Sequence, residues 1–257
     1  MPALPAPTRW LSSQTSLVEI ILNEVSKPIK LETGQPVQKS VIWLHGLGAS
    51  GDDFVPLVPE LGLPPSPAIR FVFPHAPVRP ITINNGMSMR GWFDITSLDF
   101  EAREQDLSGM AASVEIVNAL IEDEIDSGID AENIVLAGFS QGGAIALMAA
   151  LQSRLPLAGV MGLSTYLPDA ANMLELYGET GRSANSPLPV FLAHGIQDDV
   201  ILIRFAEQSR EAMAGSGALD LEWQSYQMPH SVSPEEIKDI SVWLKKTLDL
   251  DLSLIHI

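Results

Sequence analysis

One segment of this chain limits its fold more than any other, because an apolar strand pattern at residues 133–139 runs directly into an apolar helix pattern at 141–152. The two patterns meet at Gly138-Phe139-Ser140-Gln141-Gly142. A G-x-S-x-G sequence at a sharp strand-to-helix turn exposes the serine hydroxyl, and its glycines leave room for the strained backbone. A serine that only caps an ordinary helix is the alternative interpretation.

Short apolar runs alternate with helical patterns along the chain, which is typical of an α/β fold with a mostly parallel sheet. Helices are predicted at residues 106–126, 141–152, 202–214 and 234–248. Strands are predicted at residues 41–44, 70–73, 133–139, 157–163, 190–194 and 221–228, with an edge strand at 17–23. Residues 178–189 are predicted to be a surface loop, so we expect a single domain.

The predicted α/β domain covers residues 41–248. Residues 1–40 form a predicted N-terminal extension that includes the edge strand. Residues 249–257 are a predicted C-terminal tail, which is either disordered or vector-derived. The first 25 residues lack the pattern of a signal peptide, and polar residues interrupt the apolar run 134–151. We therefore expect a soluble, cytoplasmic protein with no stable membrane anchor.

Composition excludes several classes of function. The chain has no cysteine, which excludes disulfides, thiolate metal sites and a cysteine nucleophile. Its 32 Asp and Glu against 15 Lys and Arg give a net charge of -17. That balance argues against nucleic acid, since phosphate binding depends on clustered basic residues.

Residues 91–132 hold twelve acids against one base, and much of this regional charge lies on one predicted helix, 106–126. Four acids stand near its carboxyl end, where they oppose the helix dipole: Glu122, Asp123, Glu124 and Asp126. We interpret them as a solvated face that aids solubility, with cation binding or adaptation to salt as the alternative.

A serine hydroxyl is a weak nucleophile, so it needs an adjacent base that a third group orients. With this turn, the partners follow in the chain order serine, acid, histidine. Three histidines follow Ser140. His194 precedes the best acids and is predicted to be structural, and His256 lies in the tail. His230, in the loop between the last strand and the last helix, is the predicted base, with a solvated loop histidine as the alternative.

The acid is expected in the loop after strand 190–194, because open α/β sheets build their sites at the carboxyl ends of strands. That loop holds Asp198 and Asp199, and spacing alone does not choose between them. An oxyanion hole also needs two backbone N–H groups. The residue after the serine, Gln141, offers one, and Leu47, in the glycine-bearing turn after strand 41–44, offers the other.

These residues resemble a known family, the small α/β-hydrolases that include bacterial carboxylesterases, acyl-protein thioesterases and related lysophospholipases. The likeness runs from about residue 41 to 248. It rests on LHGLG at 44–48, MRGWFDI at 89–95, GFSQGG at 138–143, His194-Gly195 followed by Asp198, and His230 followed by PEE at 234–236. Asp199 stands where the family usually has proline, and Pro229 where it has glycine.

The resemblance implies a single α/β-hydrolase domain with helices on both faces of the sheet. It selects Asp198 as the acid, because the family's acid stands three residues after the His-Gly glycine. It also implies that the loop 87–92 lies near the acyl group, which makes Met89 and Trp92 candidates for substrate binding. Core packing is the alternative for both. Tyr166, after strand 157–163, is a further pocket candidate.

The resemblance further implies hydrolysis of an ester or thioester through an acyl-enzyme intermediate, with no cofactor and no metal. The expected partner is a small ester or thioester molecule, and a homodimer is an assembly that the sequence leaves open. We predict a carboxylesterase for short- to medium-chain esters, because no long apolar lid insertion separates the motifs. An acyl-protein or acyl-CoA thioesterase and a lysophospholipase are alternatives. A non-catalytic binding protein on the same scaffold is the alternative from a different class.

Overall fold

The computed structural model describes residues 27–97, 105–180 and 187–250. Within these residues, the strands are β1 Ile29–Glu32, β2 Val37–Leu44, β3 Ala68–Phe73, β4 Val78–Ile81, β5 Met87–Arg90, β6 Ile134–Phe139, β7 Gly159–Leu163, β8 Leu188–Gly195 and β9 Leu219–Tyr226. The helices are α1 Leu57–Glu60, α2 Leu107–Asp126, α3 Gln141–Gln152, α4 Ala170–Thr180, α5 Ile203–Ser216 and α6 Pro234–Thr247.

Seven strands form one twisted sheet in the order β1-β3-β2-β6-β7-β8-β9. Strand β1 pairs antiparallel with β3, and all other neighbours in this sheet pair in parallel. Strands β4 and β5 form a separate antiparallel hairpin. The predicted α/β class with a mostly parallel sheet is therefore confirmed.

Helices cover both faces of the large sheet, as its apolar strands require. Alternate residues of a strand point to opposite faces, so a strand that is covered on both sides is apolar throughout. In β2, Ile42 and Leu44 pack into the core on the side of α2 and α3. Val41 and Trp43 pack on the opposite side, with α1 and α6.

Local sequence signals explain where the helices next to the site begin. Asp106 caps α2 by accepting a hydrogen bond from the N–H of Gly109. Ser233 and Glu236 form a capping box at the start of α6, where Pro234 takes the first helical position. Within the described residues, no helix is both long enough and apolar enough to cross a membrane.

The sheet begins earlier in the chain than predicted. Strand β2 starts at Val37 rather than residue 41, and β1 forms the sheet edge inside the predicted N-terminal extension. The predicted edge strand at 17–23 and residues 251–257 of the predicted tail lie outside the described residues. The tail prediction, which began at residue 249, is wrong at Leu250, because this side chain is buried in the core. The loop predicted at 178–189 is too long, because α4 continues to Thr180 and β8 starts at Leu188.

The predicted solvated acidic face is wrong for one residue. The Glu124 side chain is only 1% exposed, and its carboxylate pairs with Lys30 Nζ at 2.7 Å and Arg70 Nη1 at 3.2 Å. The other three acids of that group are exposed. Glu124 therefore ties the end of α2 to strands β1 and β3 instead of facing solvent.

Candidate active site

Ser140 stands at the junction of β6 and α3 in a strained backbone conformation. Its φ of 55° and ψ of -122° lie in a region that non-glycine residues rarely adopt. Its N–H donates to the Leu163 carbonyl at 2.9 Å, and the Thr165 hydroxyl donates to the Ser140 carbonyl at 2.7 Å. These bonds hold the strained turn, so the serine does not act as a simple helix cap, and its side chain makes no cap bond.

The two glycines of the G-x-S-x-G sequence are required by close backbone contacts. A Cβ atom on Gly138 would lie 2.3 Å from the Gly142 carbonyl oxygen. A Cβ atom on Gly142 would lie 2.4 Å from the carbonyl oxygen of His45, in the turn after β2. A side chain at either position would clash with this strand-to-helix turn of residues 138–142, which we call the elbow. This clash explains why both positions are glycine.

The structure brings Ser140, His230 and Asp198 into one hydrogen-bonded line. The Ser140 Oγ and His230 Nε2 are 2.9 Å apart, and His230 Nδ1 lies 2.7 Å from Asp198 Oδ2. A carboxylate can only accept, so Nδ1 carries the imidazole proton and the Ser140 hydroxyl donates to Nε2. The ring of Phe139 packs on the imidazole, with centroids 4.8 Å apart.

Asp198 is buried, and its second oxygen is held by backbone. Its Oδ1 accepts from the N–H groups of Val200 at 2.9 Å and Ile201 at 2.8 Å. Burial raises the pKa of Asp198, but the bonds from His230 and these N–H groups outweigh it, so its pKa lies below the usual value. The neighbouring Asp199 is exposed. The structure thus brings Asp198, and not Asp199, to His230.

His194 is a buried structural residue, as the sequence predicts, and it contacts the loop that carries Asp198. Its Nε2 donates to the Ile201 carbonyl at 2.7 Å and lies 3.3 Å from Asp198 Oδ2. Burial lowers the pKa of His194, which favours the neutral imidazole.

The turn that carries Leu47 lies against the serine elbow. A Cβ atom on Gly46 would be 3.4 Å from the Ser140 Cβ, so this turn passes close to the elbow. Among the described residues, no backbone acceptor pairs with the N–H of Leu47 or of Gln141. Both N–H groups therefore lack a backbone acceptor within that part of the chain, as the donors of an oxyanion hole must.

A pocket of about 490 Å³ opens onto Ser140 and His230. Most of its lining is apolar, from Leu47, Phe54, Leu57, Phe139, Val200 and Val232. Asp53 and Ser231 add polar groups to the lining. Four of these lining residues were not predicted from the sequence, namely Phe54, Leu57, Val200 and Val232. Val200 and Val232 each follow a predicted triad residue by two positions, whereas Phe54 and Leu57 lie seven and ten positions after Leu47 and carry no such signal.

None of the three predicted substrate-binding residues lines this pocket. Trp92 is fully buried and its indole N–H donates to the His45 carbonyl at 2.8 Å, so the core-packing alternative describes it. The Met89 sulfur accepts from the Asn84 amide and lies beside Gly48. Tyr166 is 8% exposed and lies under the surface after β7.

Comparisons with known proteins agree with this geometry. Residues 26–248 match the model of the phospholipase/carboxylesterase family. Acyl-protein thioesterase 1 of Cryptococcus neoformans is 36% identical over 237 residues, which cover 86% of this chain and 98% of that protein. Acyl-protein thioesterase 1 of Emericella nidulans is 39% identical over 219 residues, covering 81% of this chain and 90% of that protein.

Solved structures show the same fold. The crystal structure of Arabidopsis thaliana SOBER1 has a TM-score of 0.75 and 30% identity, and covers 82% of this chain and 100% of that chain. The crystal structure of Zea mays acyl-protein thioesterase 2 has a TM-score of 0.70 and 28% identity, covering 86% and 99%. The chain therefore belongs to the phospholipase/carboxylesterase family of α/β-hydrolases and is a serine hydrolase of the esterase and thioesterase kind.

Proposed function

We propose that this serine hydrolase removes acyl groups from protein thioesters. The observation that carries the proposal is the apolar pocket that opens directly onto the Ser140 hydroxyl and His230. A volume of about 490 Å³ is within the range of sites that bind small organic ligands. The curated relatives named acyl-protein thioesterase 1 support the thioester as the scissile bond.

Short- to medium-chain carboxylic esters are the second candidate substrates. They are favoured because the sequence shows no long apolar lid insertion between the motifs. The two candidates share one chemistry and differ in the leaving group, a thiol or an alcohol. The acyl chain enters the same pocket in both.

In the proposed mechanism, Ser140 Oγ attacks the carbonyl carbon of the substrate while His230 Nε2 takes the hydroxyl proton. The same imidazole then delivers that proton to the leaving thiolate or alkoxide, which departs and leaves an acyl-enzyme. Water hydrolyses the acyl-enzyme by the reverse proton path, with His230 as the base. Asp198 accepts the hydrogen bond from His230 Nδ1 and stabilises the imidazolium that forms.

The N–H groups of Leu47 and Gln141 are proposed to hold the negative oxygen of the tetrahedral intermediate. Such fixed donors stabilise charge that develops only in the transition state, so they raise kcat more than they lower KM. The acyl chain is proposed to lie along Phe54, Leu57 and Val232, where burial of each methylene contributes about 0.8 kcal/mol.

Replacement of the proposed nucleophile tests the mechanism. Ser140→Ala should lower kcat for a p-nitrophenyl ester by about 10⁴-fold or more, with an unchanged thermal transition. Ser153→Ala, which changes a serine on a loop after α3, is the matched control and should keep the activity. Turnover by Ser140→Ala within tenfold of the parent chain would overturn the serine mechanism.

A chain-length series tests the substrate. Thioester peptides and oxygen esters with the same acyl groups should be compared by kcat/KM. We expect a higher kcat/KM for the thioester peptide than for the oxygen ester at each chain length that fits the pocket. Hydrolysis of short esters without hydrolysis of thioester peptides would reject protein thioesters and favour the second candidate.

A further inference from the structure

We infer that the segment of residues 90–93, which we call the brace, positions both proposed oxyanion donors, the N–H groups of Leu47 and Gln141. The side chain of Gln141 is the main group that links these donors to the brace. This inference rests on the proposed function, because it assigns a role to the supports of the two proposed donors. None of the brace residues lines the pocket. The brace therefore acts through other residues and does not touch the substrate.

The first connection runs through the side chain of Gln141. This amide is buried, and its Oε1 accepts from the Trp92 N–H at 2.7 Å. Its Nε2 donates to the Phe93 carbonyl at 2.6 Å. Both bonds join positions almost fifty residues apart in the chain and anchor the residue whose backbone N–H is one of the two proposed oxyanion donors.

The second connection runs to the turn that carries Leu47. The Arg90 carbonyl accepts from the Gly48 N–H at 2.8 Å, which fixes the peptide after Leu47. A Cβ atom on Gly91 would lie 3.0 Å from Leu47 Cδ1, so the brace passes directly against that side chain. The Arg90 guanidinium also donates to the Ala76 carbonyl at 3.0 Å, which fixes the brace to the segment that follows β3.

The third connection joins the brace to the turn after β2 and to helix α2. The Trp92 indole N–H donates to the His45 carbonyl, the same oxygen that excludes a side chain on Gly142. The Ser113 hydroxyl of α2 donates to the Trp92 carbonyl from the other side. Trp92 is therefore bonded on one side to the turn and on the other to the core.

The physical consequence is preorganisation. Oxyanion donors act only when they stand within about half an ångström of the productive position, and their supports must be rigid to keep them there. One short segment contacts both donor residues, so a change in the brace displaces the two N–H groups relative to each other. The expected effect is a loss of kcat with a smaller change in KM, because only the transition state carries the negative oxygen.

Two substitutions of Gln141 test the inference. Gln141→Met keeps the length of the side chain and removes both bonds, and kcat should fall about 10- to 100-fold, which is less than the loss of a whole donor. Gln141→Glu keeps both bonds only while the acid is protonated, since its hydroxyl then donates to the Phe93 carbonyl. Burial raises the pKa of such an acid. The ratio of its kcat to that of the parent chain should therefore fall at least about tenfold between about pH 6 and about pH 9.

Ser241→Ala is the control, because its hydroxyl makes a comparably buried bond to the Leu61 carbonyl on the other face of the sheet. It should lower the melting temperature without lowering kcat. A merely structural role for Gln141 predicts a pH-independent ratio for Gln141→Glu, and that result would overturn the inference. Full kcat in folded Gln141→Met would overturn it as well. An active Ser140→Ala variant would instead reject the proposed mechanism, so the two failures are distinct.

Discussion

Asp198 has a partner on each side of its carboxylate, and this sets it apart from the residue beside it. One oxygen is held by two backbone N–H groups, and the other accepts from His230 and lies near His194. The side chain has no solvent-exposed surface, whereas Asp199 is exposed. A change at Asp198 therefore alters the orientation of the imidazole, and the same change one residue later does not.

We predict that Asp198→Asn lowers kcat by about 10³- to 10⁴-fold, because an amide at this position stabilises the wrong tautomer of His230. Asp199→Asn is the matched control and should keep kcat within about twofold, since exposed substitutions away from the site have small effects. Steady-state kinetics on one ester at constant pH measures both. A larger loss in Asp199→Asn would show that the acid is assigned to the wrong residue.

Single residues differ in how far the sequence alone could place them. Ser140 and the backbone N–H of Gln141 are predictable, because the tight turn around the serine requires glycine at 138 and 142 and so leaves a recognisable sequence pattern. Spacing alone does not choose between Asp198 and Asp199, since both stand in one turn. The family resemblance selects Asp198, and in the structure the contact with His230 distinguishes the two. Trp92 could not be assigned from sequence either, because an aromatic residue beside a site motif fits a pocket wall and a core position equally well.

At the scale of elements, an ionic cluster joins the edge of the sheet to the end of α2. Arg70 of β3 contacts Glu124 and also Glu32 of β1 at 2.9 Å, and its Nη1 donates to the Ser127 hydroxyl. Lys30 of β1 contacts the other oxygen of Glu124. Among the described strands, β1 has a neighbour on one side only, so these ion pairs add contacts that hold it to the rest of the fold.

We predict that Glu124→Gln destabilises the fold by about 1–3 kcal/mol, because it removes the buried partner of two cations. The cost stays below that of a fully buried pair, since Lys30 and Arg70 are partly exposed and water screens them. Glu122→Gln, an exposed acid two residues earlier, is the matched control and should change stability by less than about 0.5 kcal/mol. Urea denaturation of both variants measures the difference. Equal stabilities would show that the cluster contributes nothing.

The elements of the central sheet were predictable because their burial on both faces makes their sequences apolar throughout. Strand β1 was not, since its residues alternate between partly buried and exposed, and its place depends on pairing with β3. Helix α4 was also missed. Its apolar residues Met173, Leu174 and Tyr177 contact the core, but Gly178 within the helix suggests a break.

At the scale of the whole molecule, one of the many acids is a buried carboxyl whose neutral, protonated form the fold favours. Glu236 is fully buried in the first turn of α6, and one of its oxygens has no partner among the described residues. Burial raises the pKa of Glu236 to about 8, from a usual value of 4.5, and nearby Asp239 adds to the effect. The fold therefore binds a proton there that the unfolded chain releases.

The sign of the pH dependence follows from this difference in proton binding. Between pH 4.5 and about 8 the folded state holds more protons at Glu236 than the unfolded state, so its contribution lowers stability as pH rises through that window. Each unit of pKa difference corresponds to about 1.4 kcal/mol. Below the window both states are protonated and no penalty exists, and above it the full penalty persists.

We predict that Glu236→Gln removes this penalty, because the amide mimics the protonated acid and carries no charge at any pH. The free energy of unfolding of the variant, minus that of the parent chain, should be small near pH 4.5 and rise steadily to a plateau above about pH 8. Glu235→Gln, at an exposed neighbouring position, is the matched control and should give a difference that does not change with pH. Urea denaturation at a series of pH values measures both curves. A flat curve for Glu236→Gln would mean that Glu236 is already ionised in the folded protein, with a counter-charge or water that stabilises it.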